Sequence, residues 1–528
     1  MRSIRVGIAG LGLLAMPGGA PAAAGQGSGT AAFVFLVGAD TFGIERYTSS
    51  RQVLTGEVLL QGQPRISYLA SRDARGFDEL RVIVYPAGSG PDAAALQSAT
   101  LRLVGDTVLA ELTAGGTTRT ERIATRPDAC LLLNGSAAML EPALARLGAA
   151  FADSVSFPVF LVTGGQTVTA TLRRLSADSI ALQLGPQETQ LIVRGSELLR
   201  LRTPAQRLVA ERVEGAAAAR LALGKPDYSP PAGAPYRAES VKVPTPAGHV
   251  LAGTLTIPAG PARRRPAVVT ITGSGPEDRD EYLPFVAGYR PFRQVADTLG
   301  RRGIMVLRLD DRGTGESTGN FATATSADFA DDVRAAVAWL RARPDVNPAR
   351  IALVGHSEGG IIAPMVAASD RRLAAIVLMA GPAKRGREVL DYQIRYGVEH
   401  DSAIAPAQRD SVYATRRAAA DTTAAPSPWM KFFLSYDPLA TIRQVRAPVL
   451  ILQGGTDQQV TADQAETLAA ALGEAGNRDV TVRVIPLRNH LFLPDSTGNP
   501  SGYARSPSGR IGPEVMGQLA DWLVRKLR

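Results

Sequence analysis

Two textures of hydrophobic patterning divide the chain. From about residue 30 to 209, short runs of alternating or β-branched character recur, such as Gly56-Glu57-Val58-Leu59-Leu60, Leu80-Arg81-Val82-Ile83-Val84-Tyr85 and Thr167-Val168-Thr169-Ala170-Thr171-Leu172. Clusters of Gly, Asp and Pro separate them at intervals suited to a meander, sandwich or barrel. One helix-compatible stretch, 140–152, interrupts this pattern. From about residue 236 the texture changes: continuous apolar runs at 267–271, 304–307, 351–354, 375–379 and 449–452 alternate with amphipathic segments, notably 327–343 and 464–472. Strands apolar on both faces, alternating with helices, predict a mainly parallel sheet flanked by helices.

An Ala-rich, helix-compatible stretch at 214–223 runs into Gly224-Lys225-Pro226-Asp227-Tyr228-Ser229-Pro230-Pro231-Ala232-Gly233-Ala234-Pro235. So many Pro and Gly residues continue neither a helix nor a central strand, so 224–235 is predicted to be a linker. The expected organisation is a β-rich domain over 25–223, the linker, and an α/β domain over 236–528. Residues 1–24 carry Arg2 and Arg5, the apolar stretch 6–16 and the small-residue series Ala20-Pro21-Ala22-Ala23-Ala24, the pattern of a cleavable signal peptide. The expectation is export to the periplasm or medium. The stretch is too short to span a bilayer, and no later run approaches that length.

Composition narrows the function classes. With 45% hydrophobic and 20% charged residues, the chain can build a large core. The excess of 58 basic over 49 acidic residues is mostly Arg scattered through every segment, so no nucleic-acid surface is expected. Cys130 is the single cysteine, which excludes an internal disulfide and fits a small buried apolar side chain. Four histidines without a cysteine pair give no structural zinc pattern. No metal or other cofactor is expected.

The chemistry concentrates at Gly355-His356-Ser357-Glu358-Gly359-Gly360, which follows the buried run 351–354 and precedes the helix-compatible stretch 361–368. G-x-S-x-G between strand and helix is a nucleophile elbow: a tight turn that only small neighbours allow, with Ser357 at its tip. A neutral serine hydroxyl needs a base. In this context the chain order is serine, acid, histidine. Asp457 ends the loop after the late strand 449–453, and His490 is the only histidine beyond it. Ser357, Asp457 and His490 are therefore the predicted catalytic set. His249, His356 and His400 are expected to be structural, and Asp310 and Asp311 to fix a loop. The oxyanion of an acyl-transfer intermediate needs two donors. They are predicted to be the backbone N–H groups of Glu358 and of Ser274, in the loop Thr272-Gly273-Ser274-Gly275-Pro276, with Gly273 the alternative to Ser274.

Taken together, Thr272 to Asp280, Asp311-Arg312-Gly313-Thr314-Gly315-Glu316-Ser317, the elbow, Gly454-Gly455-Thr456-Asp457-Gln458-Gln459-Val460 and Asn489-His490 resemble the bacterial carboxylesterase-like branch of the α/β-hydrolase superfamily, which is dienelactone hydrolase-like and related to prolyl oligopeptidases. The resemblance implies an α/β-hydrolase fold, Ser357, Asp457 and His490 as triad, and cofactor-free hydrolysis of a small-molecule carboxylic ester. Thr272 stands where many relatives carry His, and the β-rich region lies outside the resemblance. An insertion at about 384–446 holds helix-compatible segments and the aromatic group Trp429, Phe432, Phe433 and Tyr436; in this fold it implies a lid. Two other readings use the same residues differently: a peptidase or amidase with the same triad, and a ligand-binding protein whose β-rich domain carries the function. Acyl and alcohol specificity and oligomeric state are open at this level.

Overall fold

The computed structural model describes residues 30–528 except 74–75, 87–88, 91, 115, 146–152, 186, 261–263, 403 and 425–426. The expected signal peptide lies outside the described residues. The chain divides into two compact units, 1–225 and 226–528.

The first unit is a single fifteen-stranded sheet among the described residues. Its first strand, Thr30–Val37, pairs on one side with Asp40–Ser49 and on the other with the last strand, Leu208–Glu214, so two meanders leave from a common centre. All neighbours are antiparallel except the short strand Cys130–Leu132, which runs parallel to Ser154–Leu161. The alternating pattern buries one side of each strand. Phe33, Tyr68, Leu80, Leu131, Phe160 and Leu191, drawn from both meanders, share one core, so the sheet is curled around it. Cys130 is buried there. Glu45 is a buried carboxylate in this core. It accepts from the Tyr68 and Ser136 hydroxyls and from the backbone N–H groups of Ala137 and Ala138, pinning the segment that follows Leu133 to the sheet.

The helix expected at 140–152 begins as a 3-10 turn, Ala138–Leu140, and a short helix, Glu141–Ala145; its remainder lies outside the described residues. The helix expected at 214–223 is shorter too. The last strand holds residues up to Glu214 in the sheet, and only Gly215–Arg220 are helical.

The second unit is an eight-stranded sheet between helices. Its strands are β1 Tyr236–Pro244, β2 Val250–Pro258, β3 Arg265–Ile271, β4 Met305–Leu309, β5 Val346–His356, β6 Ala375–Met379, β7 Val449–Gly454 and β8 Val480–Ile485. They lie in the order β1-β2-β4-β3-β5-β6-β7-β8, with β2 antiparallel to both its neighbours and the rest parallel. The central strands β3, β5, β6 and β7 are the apolar runs of the sequence and are buried on both faces, as a sheet covered by helices on both sides requires. The helices are α1 Pro291–Gly300, α2 Ser326–Ala342, α3 Gly359–Ser369, α4 Gly386–Glu399, α5 Arg409–Ala424, α6 Pro428–Ser435, α7 Pro438–Ile442, α8 Asp463–Glu474 and α9 Pro513–Lys526. This is the α/β-hydrolase fold, with α4 to α7 as the insertion between β6 and β7.

Most of the expected linker belongs to this unit. Tyr228 donates to Asp278 at 3.1 Å, and its ring lies 4.1 Å beneath the Arg279 guanidinium. The Pro- and Gly-rich segment forms neither helix nor strand, yet it packs through one aromatic anchor. No helix among the described residues is long and apolar enough to cross a membrane.

Candidate active site

Strand β5 delivers Ser357 to the end of the sheet and α3 leaves from it. The turn between them is so tight that Ser357 takes φ 52°, a left-handed conformation that costs a non-glycine residue about 1–3 kcal/mol. The flanking glycines permit it. A Cβ on Gly355 would lie 2.1 Å from the Gly359 carbonyl oxygen, one on Gly359 2.2 Å from that of Ile271, and one on Gly360 2.5 Å from the Gly381 Cα. The reading of G-x-S-x-G as steric necessity is thus visible contact by contact.

Three residues far apart in sequence meet here. His490 Nε2 stands 3.0 Å from Ser357 Oγ, and His490 Nδ1 stands 2.8 Å from Asp457 Oδ2. A carboxylate only accepts, so Nδ1 carries the proton it donates to Asp457 and Nε2 is left to accept from the serine hydroxyl. Asp457 sits in the loop after β7. Its Oδ1 accepts from the N–H groups of Gln459 and Val460 at 2.8 and 3.0 Å, and its Oδ2 also accepts from Gln453 Nε2 at 2.9 Å. The His490 loop is held by Asn489, whose Oδ1 accepts from the N–H groups of Leu491 and Leu493. Asp457 and His490 are buried, and Ser357 is partly open to solvent.

The loop after β3 passes over the elbow. The Gly273 N–H donates to Glu277 Oε2 at 2.9 Å and is therefore spent. Among the described residues, neither the Ser274 N–H nor the Glu358 N–H is given to a protein acceptor. Glu358 opens α3, where the helix dipole favours negative charge. Thr272 donates its hydroxyl to Asp311 Oδ1 at 2.8 Å, and Asp311 Oδ2 accepts from the Glu277 N–H at 3.0 Å. Asp310 accepts from the Arg279 backbone N–H and from Arg279 Nε and Nη2 at 2.8, 2.9 and 2.6 Å. Both aspartates thus hold the 272–280 loop, as the sequence suggested. Burial raises the Glu277 and Asp311 carboxyls well above the usual range, and for Glu277 the Glu281 and Asp311 charges add to it.

The other histidines have structural partners. His249 bridges Thr245 and Asp332, and exposed His400 stacks on Tyr396. His356 is closer to the chemistry than its variable position in the motif suggests. It is buried, its Nδ1 meets Glu281 Oε1, and its Nε2 donates at 3.0 Å to the main-chain carbonyl of His490. A carboxylate oxygen and a main-chain carbonyl both can accept, so this pair of partners favours the protonated imidazole, which donates from both nitrogens. Burial alone would lower its pKa; the Glu281 charge and hydrogen bond, with the His490 carbonyl, outweigh it and the pKa is raised above 6.5. A raised folded pKa supplies stability that is complete below the unfolded value and is lost as pH rises through the folded one. His356→Asn is therefore expected to lower Tm most near about pH 5.5, with the gap to wild type narrowing on the alkaline side. Thermal melts across pH check this, and a gap that widens with rising pH contradicts it.

Sequence reasoning missed Gln453, Glu281 and the partner of Trp429, a residue it placed only in the aromatic group of the insertion. Gln453 had a signal, a polar side chain closing an otherwise apolar strand, which is unusual unless it has a buried partner. Glu281 and Trp429 had none, because their partners lie 75 and 71 positions away. No group of side chains among the described residues has the makings of a metal site.

The comparisons with known proteins agree with this architecture. The Prolyl oligopeptidase family model (Peptidase_S9) matches residues 290–526, all within the second unit. The esterase EstD of Thermotoga maritima is 28% identical over 285 residues, covering 52% of this chain and 66% of EstD. An uncharacterised Mycobacterium tuberculosis protein, Rv2307c, is 32% identical over 193 residues, 36% of this chain and 55% of that protein. The chain thus spans between about half and two thirds of the length of these relatives. Among solved structures, the Pyrococcus furiosus esterase Pf2001 aligns with a TM-score of 0.39 at 16% identity, covering 56% of this chain and 92% of the esterase. With its eight-stranded sheet, its elbow, the family-model match and the similarity to EstD, the second unit, 226–528, belongs to the α/β-hydrolase superfamily.

Proposed function

We propose that this protein is a serine hydrolase that cleaves carboxylic esters of small molecules through an acyl-enzyme. The observation that carries the reading is the unbroken chain Ser357 Oγ to His490 Nε2 at 3.0 Å and His490 Nδ1 to Asp457 Oδ2 at 2.8 Å. His490 Nε2 takes the hydroxyl proton as Ser357 Oγ attacks the ester carbonyl, and Asp457 balances the imidazolium. The Ser274 and Glu358 N–H groups receive the oxyanion, a contribution of several kcal/mol between them. Gly273 drops out because its N–H is already bonded. Collapse expels the alcohol with the proton from His490. Water then attacks the acyl-enzyme by the same route, so ester and water become acid and alcohol.

One sequence relative named as an esterase, EstD, supports the ester reading, and the family model's name keeps a peptidase in view. A fluorophosphonate probe is expected to label Ser357, and p-nitrophenyl acetate and butyrate to be turned over faster than aminoacyl anilides. Faster turnover of the anilides would move the assignment to a peptidase. No labelling and no turnover of either class would end it and favour ligand binding by the β-rich unit. The N-terminal pattern supports export as part of this proposal; recovery of a mature chain beginning near Gly25 from the periplasm or medium tests it.

A further inference from the structure

We propose that the Glu358 side chain is a positioning group: its carboxylate braces the two oxyanion donors against each other and latches the lid helix α6 to the nucleophile elbow. This rests on the reading of Ser357 as nucleophile and extends it to a residue whose side chain that reading leaves unused.

Glu358 is 2% exposed, and its carboxylate is met from three directions. The Ser326 hydroxyl, at the start of α2, donates to Oε1 at 2.6 Å. The Trp429 indole N–H, in the first turn of α6, donates to the same oxygen at 2.8 Å. The Ser274 hydroxyl, on the loop after β3, lies close enough to the carboxylate to favour its charged form. Ser274 and Glu358 are the residues whose backbone N–H groups are assigned to the oxyanion, so their side chains tie together what their main chains must hold apart at a set distance. Oxyanion donors have to sit within about 0.5 Å of the productive geometry. The link comes from the 272–280 loop, which has no regular structure of its own to impose that spacing.

The choice of residue fits this role better than packing does. Burial raises the Glu358 carboxyl, and the three donors only partly offset it. An apolar side chain would fill the same space without desolvating a charge. Glutamate, unlike an apolar residue, offers two oxygens and about four lone-pair sites to converging donors. The lid end is equally specific. Trp429 stacks on Phe433 with ring centroids 5.3 Å apart, and Phe433 packs into the core of the unit, so the indole is aimed by its neighbour. The lid has a second attachment of the same kind: Gln393 of α4 donates to the main-chain carbonyl of Gln459, two residues beyond Asp457, at 3.0 Å. Lid position and site geometry thus share hydrogen bonds at both loops.

The two arms can be cut separately. Ser274→Ala removes the brace and leaves the backbone N–H in place. Its kcat for p-nitrophenyl butyrate is expected to fall about 10-fold with KM within about twofold, since only the transition state uses the hole. Trp429→Phe keeps the stack and removes the N–H. It is expected to hold kcat within about threefold while limited proteolysis within 384–446 becomes several-fold faster, as expected for a segment that opens more readily. Glu358→Ala should show both effects. Glu358→Gln should restore most of kcat, because its amide oxygen accepts from Ser326 and Trp429 and its amide NH2 can donate to the Ser274 oxygen. Should Glu358→Ala fail to fold, the Ser274 and Trp429 variants each test one arm alone. Wild-type kcat in Ser274→Ala, or equal losses in Glu358→Gln and Glu358→Ala, overturns the proposal while fluorophosphonate labelling of the wild type upholds the nucleophile. A wild type that neither labels nor turns over ester removes the nucleophile and this inference with it.

Discussion

Ser357→Ala is expected to lower ester turnover by about four to six orders of magnitude while Tm moves by no more than a few degrees. The size follows from the mechanism: without Oγ there is no acyl-enzyme, and the route left is direct attack by water under whatever help the oxyanion donors give. The small change in stability follows from the site. Ser357 is held in its left-handed conformation by the surrounding turn, and alanine removes one partly exposed hydroxyl whose only side-chain partner described here is His490. His490→Ala should lose activity on the same scale. The double variant should be no worse than either single one, because the two groups act as a unit. Steady-state kinetics on p-nitrophenyl butyrate, with fluorophosphonate labelling to exclude contaminating enzyme, provide the check. Activity retained in Ser357→Ala would reject the assignment, and additive losses in the double variant would reject the proposed coupling.

Asp310→Asn is expected to destabilise the second unit by about 3–5 kcal/mol, the usual result of leaving a buried charge without its partner. The Arg279 and Asp310 side chains are 2% and 0% exposed. Asp310 also accepts from the Glu316 N–H at 3.0 Å, so it joins the 278–280 segment to the 310–317 loop. Asparagine keeps the shape and one acceptor and removes the charge. Arg279 is then left with Thr254, the exposed Glu316 and the Tyr228 ring. For a unit of this size the loss corresponds to a fall in Tm on the order of 10 °C. Because the same loop carries Ser274, kcat should fall as well. Replacing both partners, as Arg279→Met with Asp310→Leu, should recover much of the stability, since a buried pair mainly penalises the removal of one member. Chemical and thermal unfolding of the two variants and the wild type measure this. A single variant as stable as wild type would mean that solvent reaches Arg279.

The parts of the molecule legible in the sequence are those specified by neighbours along the chain. The predicted runs at 375–379 and 449–452 are β6 and the body of β7, because strands buried on both faces must be apolar throughout. The predicted helix at 327–343 is α2, Ser326–Ala342, whose start is set by the local capping box of Thr325 and Asp328. The insertion between β6 and β7 was legible with two of its helices, while α6 and α7 were not, being eight and five residues long and stabilised by their packing on the body. At 214–223 local helix propensity lost to a strand partner far upstream, Ala31 opposite Glu214, which periodicity cannot register.

The site divides the same way. Elbow sterics are local, so Gly355, Ser357 and Gly359 could be read directly, and chain order singled out Asp457 and His490 before any distance was known. By itself the sequence determined the alternation of strands and helices, the turn that exposes one serine, and an acid after a late strand with one histidine beyond it. Only the tertiary structure decided that Gly273 is spent on Glu277 while, among the described residues, the Ser274 N–H is left without a protein acceptor, that His356 and Glu281 support the His490 main chain, and that Trp429 reaches the Glu358 carboxylate. The physical reason is common to all three. Periodicity and turn chemistry act over a few residues, whereas a buried hydrogen bond is specified by geometry at its two ends and leaves no pattern in the chain between them.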